Sequence, residues 1–267
     1  MPRANRHFLP GLVWHLTHRC HQRAFLLKFS RDRTTYLRWL YEARKRLGLC
    51  VLNYAVTSNH VHLLVQDTGE NVIARSVQLL AGQTAQTFNR RKSRAGAFWE
   101  DRYHATAIET DGHLHRCLVY IDLNMVRAGV VSHPRDWVHG GYREIQQPPK
   151  RYRVIDLEKL SALCGFTRIT DFQHAHRDWV NTALADQSSA REPRWSDSIA
   201  IGSETFVDQV KSELGLTARH REIAETNGAY TLREPFRPYA GHFDPENVPL
   251  RPNNTVFWEH SLESTEA

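Results

Sequence analysis

The chain has 267 residues, of which 41% are hydrophobic and 24% charged, with a net charge of +6. This composition is typical of a folded globular protein, and no apolar run of about 18 residues indicates a membrane span. The first eleven residues lack an apolar core, so we expect no secretory signal. The four cysteines are widely spaced, which argues against a disulfide framework or a cysteine-based zinc module and predicts a cytoplasmic protein.

Positive charge is concentrated in the first 150 residues, which hold 22 Lys and Arg against 11 Asp and Glu. The last 67 residues hold 6 against 11 and are therefore acidic. A basic region of this kind indicates a polyanionic partner, most commonly a nucleic-acid backbone. Charge alone leaves open a second interpretation, in which the basic face is simply solvated.

The hydrophobic pattern predicts the element order β-α-β-β-α-β-α. Strands are predicted where apolar residues alternate or run together, at residues 12–19, 49–56, 60–66 and 97–108. Helices are predicted where apolar residues recur at helical spacing, at residues 33–47, 70–91 and 111–128. The first six elements form a split βαβ, or ferredoxin-like, unit of the α+β class. We expect one antiparallel sheet with two helices on one face, which leaves the other face available for function.

The rest of the chain predicts an extension with a different character. Residues 130–147 indicate a short capping segment, and Pro148-Pro149-Lys150-Arg151 is typical of a boundary. We therefore expect two domains, residues 1–147 and a mostly helical extension, residues 148–267. Helices are predicted at residues 157–166, 170–185 and 204–214, and an irregular tail is predicted from Glu234 onward.

A His-x-His pair in the third predicted strand is the sharpest local motif. Alternation along a strand puts His60 and His62 on one face and Val61 on the other. Two imidazoles about 7 Å apart along a strand can bind one divalent cation. The pattern is weak by itself, because the chain has 16 histidines and chance pairs occur.

A second motif lies in the helix predicted at residues 111–128. Tyr120 and Asn124 are four residues apart and therefore share a helix face. If this helix lies beside the free face of the sheet, both side chains can reach a cation held by His60 and His62. The spacing leaves the alternative that Tyr120 is a buried core residue and Asn124 a surface or capping residue.

These motifs resemble those of a known enzyme group. The segment from Thr57 to Val65 resembles the His-hydrophobic-His strand of the HUH single-strand nucleases. The segment from Tyr120 to Gly129 resembles the catalytic helix of the REP-associated tyrosine transposases, relatives of the insertion-sequence transposases. Phe98 to Tyr103 resembles the aromatic, basic strand of that family, and the resemblance covers roughly residues 8–145. The chain departs from the family pattern at Thr57-Ser58 and at Met125, where the family often has Met-Pro and Pro.

The resemblance implies an enzyme that cuts and rejoins single-stranded or hairpin DNA, such as repetitive palindromic elements. It implies that Tyr120 attacks phosphorus and forms a 5′-phosphotyrosine. It implies that His60, His62 and Asn124 bind Mg²⁺ or Mn²⁺, which polarises the phosphate. Asp122 points from another helix face and is a doubtful base for Tyr120. The REP-associated group also implies a monomer.

Contacts with DNA are predicted where basic residues and an aromatic ring flank these motifs. The predicted DNA-binding residues are Arg3, Arg6, Arg19, Arg23, Arg90, Arg91, Lys92, Arg94, Arg102 and Tyr103.

Other interpretations remain or are set aside. A domesticated relative that binds DNA or RNA hairpins without cutting them is the open alternative. The histidine-triad nucleotide hydrolases need a further histidine where this chain has Leu64. Zinc at His15, His18, Cys20 and His21 is disfavoured, because strand alternation splits these residues between two faces.

Overall fold

The computed structural model describes residues 9–110, 112–186, 192–226 and 228–234. Seven strands are described, at Val13–Arg19 (β1), Cys50–Val56 (β2), His60–Gln66 (β3), His104–Ile108 (β4), Ala200–Gly202 (β5), Glu222–Thr226 (β6) and Ala229–Arg233 (β7). The helices described are Ser30–Leu47 (α1), Val72–Lys92 (α2), Gly112–Asp122 (α3), Asn124–Arg127 (α4), Tyr142–Gln146 (α5), Leu157–Leu163 (α6), Ile169–Ala185 (α7), Arg194–Asp197 (α8) and Glu204–Leu214 (α9). None of them is long and apolar enough to cross a membrane.

The strands form one sheet in the order β2-β3-β1-β4-β5-β7-β6. The first four strands are antiparallel neighbours and have the order expected of a ferredoxin-like unit, so the predicted α+β fold class is confirmed. The extension supplies helices, as predicted, and also three strands that were not predicted. The first of them, β5, pairs in parallel with β4, so the sheet continues across residue 147.

The two faces of the sheet have different neighbours. On one face, the ring nitrogen of Trp99 donates to the carbonyl of Ala81 in α2, and Trp99 stacks on His18 of β1. On the other face, Asn53 of β2 donates to Asp122 of α3. This second face is therefore partly covered by α3, and the expectation that the whole face is free is wrong. The cover exists because α3 leaves β4 and returns across the sheet.

Two predicted elements differ in extent from the observed ones. The strand predicted at residues 97–108 is regular only over β4, and before it a single bridge pairs Cys20 with Trp99. The helix predicted at residues 111–128 is interrupted at Leu123, so Tyr120 lies in α3 and Asn124 begins α4. Position 111, its predicted cap, lies outside the described residues.

Residues 1–234 group as one compact unit and residues 235–267 as a second. The predicted tail lies almost entirely in the second unit, which is outside the described residues. The predicted division at residue 147 stays a prediction.

Candidate active site

His60 and His62 lie at the start of β3, on the face opposite Val61, as strand alternation predicts. Their ring centroids are 4.8 Å apart and nearly perpendicular. The turn before the strand orients His60, because its Nδ1 lies 2.8 Å from Oδ1 of Asn59. The amide of Asn59 is itself oriented by donation from Nδ2 to the carbonyl of Arg23. This pattern assigns the His60 proton to Nδ1 and leaves Nε2 as the atom with a lone pair.

His62 is buried and is held by a chain of hydrogen bonds that leads into the extension. Nδ1 of His15 lies 2.7 Å from the carbonyl oxygen of Trp195, which can only accept, so His15 carries its proton on Nδ1. Nε2 of His15 then accepts from Nδ1 of His62 over 2.9 Å. Nε2 of His62 is left as an acceptor, and Nδ2 of Asn124 donates to it over 3.0 Å.

His15 and His62, the two histidines of this hydrogen-bond series, are both neutral. Burial lowers the pKa of His15 to about 4, and the bond to Trp195 opposes this only in part. Burial, followed by the repulsion that protonated His60 and His15 would exert, lowers the pKa of His62 well below its ordinary value. A neutral imidazole with its lone pair on Nε2 is the form that binds metal ions.

Tyr120 lies beside these imidazoles. Its ring centroid is 5.9 Å from that of His62 and 6.0 Å from that of His15, both edge-on. The ring of Trp195 lies 5.9 Å away. The guanidinium carbon of Arg127 lies 4.2 Å from the Tyr120 ring centroid, and the same guanidinium donates to the Tyr120 carbonyl. Only 6% of Tyr120 is exposed, yet the residue lines a cavity.

The cavity has a volume of about 300 Å³ and is lined by residues of β1, β3, α3, α4 and α8 and of the loops beside them. Its lining residues are Thr17, Arg19, Arg23, Asn59, His60, His62, Tyr120, Asn124, Arg127, Ala128 and Ser196. Three of them are arginines and none is a carboxylate, so the cavity is complementary to phosphate. His60, His62, Tyr120 and Asn124 thus meet at one cavity, and their individual roles remain predictions.

The donor set at the cavity fits a divalent cation of modest affinity. The described residues include no group of three or more His, Cys, Asp or Glu that could hold a metal ion. Two imidazoles with Nε2 lone pairs and one amide are nevertheless donors that Mg²⁺ or Mn²⁺ accepts when phosphate oxygens complete the shell. His60, His62 and Asn124 would hold such an ion once Nδ2 of Asn124 gives up its bond to Nε2 of His62 and the amide presents its oxygen.

Asp122 does not serve Tyr120 as a base. Its Oδ1 accepts from Asn53, and its Oδ2 lies 2.8 Å from Nε2 of His176 in α7. Both carboxylate oxygens of Asp122 are therefore hydrogen-bonded to Asn53 and His176 rather than to Tyr120.

The predicted DNA-binding residues are scattered rather than gathered at the cavity. Arg19 and Arg23 line it. Arg90, Lys92 and Arg102 are exposed elsewhere, while Arg91 pairs with Asp32 and Arg94 bonds to Asn89 and the carbonyl of Ala97. Arg3 and Arg6 lie outside the described residues.

Tyr103, which was predicted to contact DNA, is buried. Only 3% of the residue is exposed, and its ring packs edge-on against His18. It lies just before β4, where the chain turns into the sheet, and the ring is buried there. In this conformation it presents no face to a base.

Sequence reasoning missed His15, Asn59 and the carbonyl of Trp195. His15 alternates with Trp14 and so shares the face of Thr17 and His62, a signal that could have been used. The same alternation puts His18 on the opposite face, against Trp99, so the expected split of the N-terminal histidines is observed. No sequence signal pointed to the main chain of Trp195.

Comparison with known proteins supplies the family. The family model described as "Transposase IS200 like" matches residues 9–124, which include Tyr120 and end at Asn124. This part of the chain, 116 of 267 residues, is similar to the IS200-like transposase family. The comparison with curated proteins gives no match.

Two solved structures are similar to this chain. One, described as a REP-associated tyrosine transposase bound to a REP hairpin, is 17% identical, covers 57% of this chain and 90% of its own, and gives a TM-score of 0.47. The other, a putative transposase from Deinococcus radiodurans R1, is 21% identical, covers 39% and 83%, and gives 0.31. Both scores are low, so the assignment rests on the family match.

Proposed function

We propose that this transposase-family chain cleaves and rejoins single-stranded or hairpin DNA through a covalent bond between Tyr120 and a 5′-phosphate. The observation that carries the proposal is the meeting of Tyr120, His60, His62 and Asn124 at one cavity lined by three arginines. A buried tyrosine with only a packing role would need neither the imidazole pair nor the cationic lining.

In the proposed reaction, the phenol oxygen of Tyr120 attacks phosphorus, and the bond between phosphorus and the 3′ oxygen breaks. The phenol proton leaves to water in the cavity, and the departing 3′ oxygen takes up a proton to become a free 3′ hydroxyl. The 5′-phosphate stays on Tyr120, so the phosphodiester energy is kept for rejoining without a nucleotide cofactor.

The side chains around Tyr120 have separate tasks in this reaction. Arg127 lies over the ring, and its positive charge stabilises the phenolate. Arg19 and Arg23 bind phosphate oxygens at the cavity. A divalent cation, when bound by His60, His62 and Asn124, supplies Lewis-acid polarisation of the phosphate. The chain of bonds through His15 fixes the ring of His62 before substrate arrives.

Detection of a protein–DNA adduct tests the proposal. A hairpin oligonucleotide labelled at its 3′ end is incubated with the full chain and Mg²⁺ or Mn²⁺, then run on a denaturing gel. Tyr120→Phe is expected to abolish the labelled adduct, and EDTA to reduce it strongly. Tyr142→Phe is the matched control, because Tyr142 is equally buried but lies in α5, outside the cavity lining.

Two outcomes would contradict the proposal. An adduct that persists in Tyr120→Phe would show that another residue is the nucleophile. Tight binding of the oligonucleotide by the unaltered chain, without any adduct, would favour the non-cleaving hairpin-binding protein.

A further inference from the structure

The loop at residues 24–29, between a short 3₁₀ turn and α1, exposes two aromatic rings. Phe25 is 66% exposed and Phe29 is 52% exposed. Single exposed apolar residues are ordinary in proteins. Two exposed phenylalanines within five positions are less common and indicate a binding surface. Neither residue contributes to the cavity or to its chemistry.

The backbone of this loop is held in place by hydrogen bonds and by a buried side chain. Leu27, between the two rings, is fully buried, and its N–H donates to the carbonyl of Ser58. The guanidinium of Arg33 donates to the carbonyls of Leu27 and Lys28 over 2.9 and 2.7 Å. A ring held out on a fixed backbone loses little conformational entropy when it binds, which suits a recognition surface.

The loop also connects the cavity to a basic helix end. Arg23, just before it, lines the cavity and is tied to Asn59, another lining residue. At its other end, the ammonium of Lys92 lies 5.5 Å from the Phe29 ring centroid. The last turn of α2 carries Arg90, Arg91 and Lys92. The exposed rings therefore follow Arg23 along the chain, and the second of them contacts the basic end of α2.

We propose that the 24–29 loop is a stacking platform for unpaired DNA nucleotides that flank the strand held in the cavity. Bases stack on Phe25 and Phe29, while Arg23 and Lys92 contact the phosphates on either side. Alternation of aromatic faces with cations is how proteins bind single strands without reading their sequence. This inference rests on the proposed function, because it takes DNA to be the occupant of the cavity.

The test compares two hairpin oligonucleotides by fluorescence anisotropy with the full chain in EDTA. One has a blunt end, and the other carries a single-stranded extension of about ten thymidines. Phe25→Ala and Phe29→Ala are each expected to weaken binding of the extended hairpin roughly fivefold or more, and to leave the blunt hairpin unaffected. Tyr152→Ala is the matched control, since Tyr152 is 73% exposed and is not a cavity residue.

A second readout is independent of affinity. In Phe25→Trp and Phe29→Trp the binding of the extended hairpin is expected to be retained, and the new indole fluorescence to be quenched by stacked bases. Unchanged affinity in the alanine variants, together with no quenching, would overturn the platform while leaving the Tyr120 adduct intact.

Other outcomes are distinguishable from these. If the unaltered chain binds neither hairpin, the proposed function fails together with the platform. If the alanine variants bind DNA normally but lose a self-association seen by sedimentation, the patch is a contact between copies of the chain and the platform is overturned.

Discussion

The palm, residues 9–147, and the extension, described over residues 148–234, contribute to the site in different ways. The palm supplies His60, His62, Tyr120 and Asn124, the side chains proposed to react or bind metal. The extension adds Ser196 to the cavity lining and a main-chain carbonyl, that of Trp195, beneath it. The palm thus holds the candidate side chains and also Asn59 and His15, which orient the two imidazoles, while the extension orients His15 in turn through the Trp195 carbonyl.

Several palm side chains bond to main-chain carbonyls of the extension. His15 bonds to the carbonyl of Trp195, and both His104 and Thr106 bond to the carbonyl of Ser198. Other bonds run from the extension into the palm: the side chain of His176 reaches Asp122, and the N–H groups of Val154 and Ile155 donate to the carboxylate of Glu144. Most of these bonds are buried, so each of the buried ones is costly to leave unmade.

The largest expected effect comes from breaking the His176 contact. His176→Leu leaves Oδ2 of Asp122 buried without its donor, and we expect the free energy of unfolding to fall by about 2–3 kcal/mol. Urea unfolding measures it. His174→Leu is the control, on the same helix but exposed, and should change stability little. Equal stability of the two variants would mean that α7 docks through its apolar contacts alone.

A smaller and more specific effect is expected at His15. His15→Leu removes the acceptor for Nδ1 of His62, and affinity for Mn²⁺ should fall roughly ten- to a hundredfold, as for other lost partners of metal-binding histidines. Electron paramagnetic resonance measures the affinity, and nitrogen chemical shifts report the His62 tautomer in the metal-free chain.

Two further variants sharpen the result at His15. His15→Gln keeps an acceptor and should restore much of the affinity. His104→Leu breaks a comparable bond to the extension without contacting His62, so it should leave Mn²⁺ binding unchanged. Equal losses in His15→Leu and His104→Leu would indicate that docking of the extension, rather than the His62 tautomer, controls the metal site.

The smallest expected effect concerns surface charge. Arg90→Ala, in the palm, should weaken DNA binding about equally for all sequences and reduce the slope of log K against log salt by about 1. Arg168→Ala, in the extension, should leave the slope unchanged, because Arg168 is bonded to Asp171. Titration at several salt concentrations measures both. A slope that changes equally in both variants would show that the extension also lies along the DNA.

Local patterns in the sequence predicted much of the palm and part of the site. The strand with His60 and His62, and the helix with Tyr120, were predicted because side-chain alternation and helical spacing are short-range properties of the backbone. The three strands of the extension were missed. One of them, β5, has only three residues, too few to show alternation, and it is defined by its pairing with β4.

By itself, the sequence determined which side chains could react and which of them share a face, since both follow from residue type and spacing within a single element. Only the tertiary structure decided how they are oriented. His15 and Trp195 are 180 positions apart, and Asp122 and His176 are 54 positions apart. Such contacts arise from packing between elements, which no local period in the chain encodes.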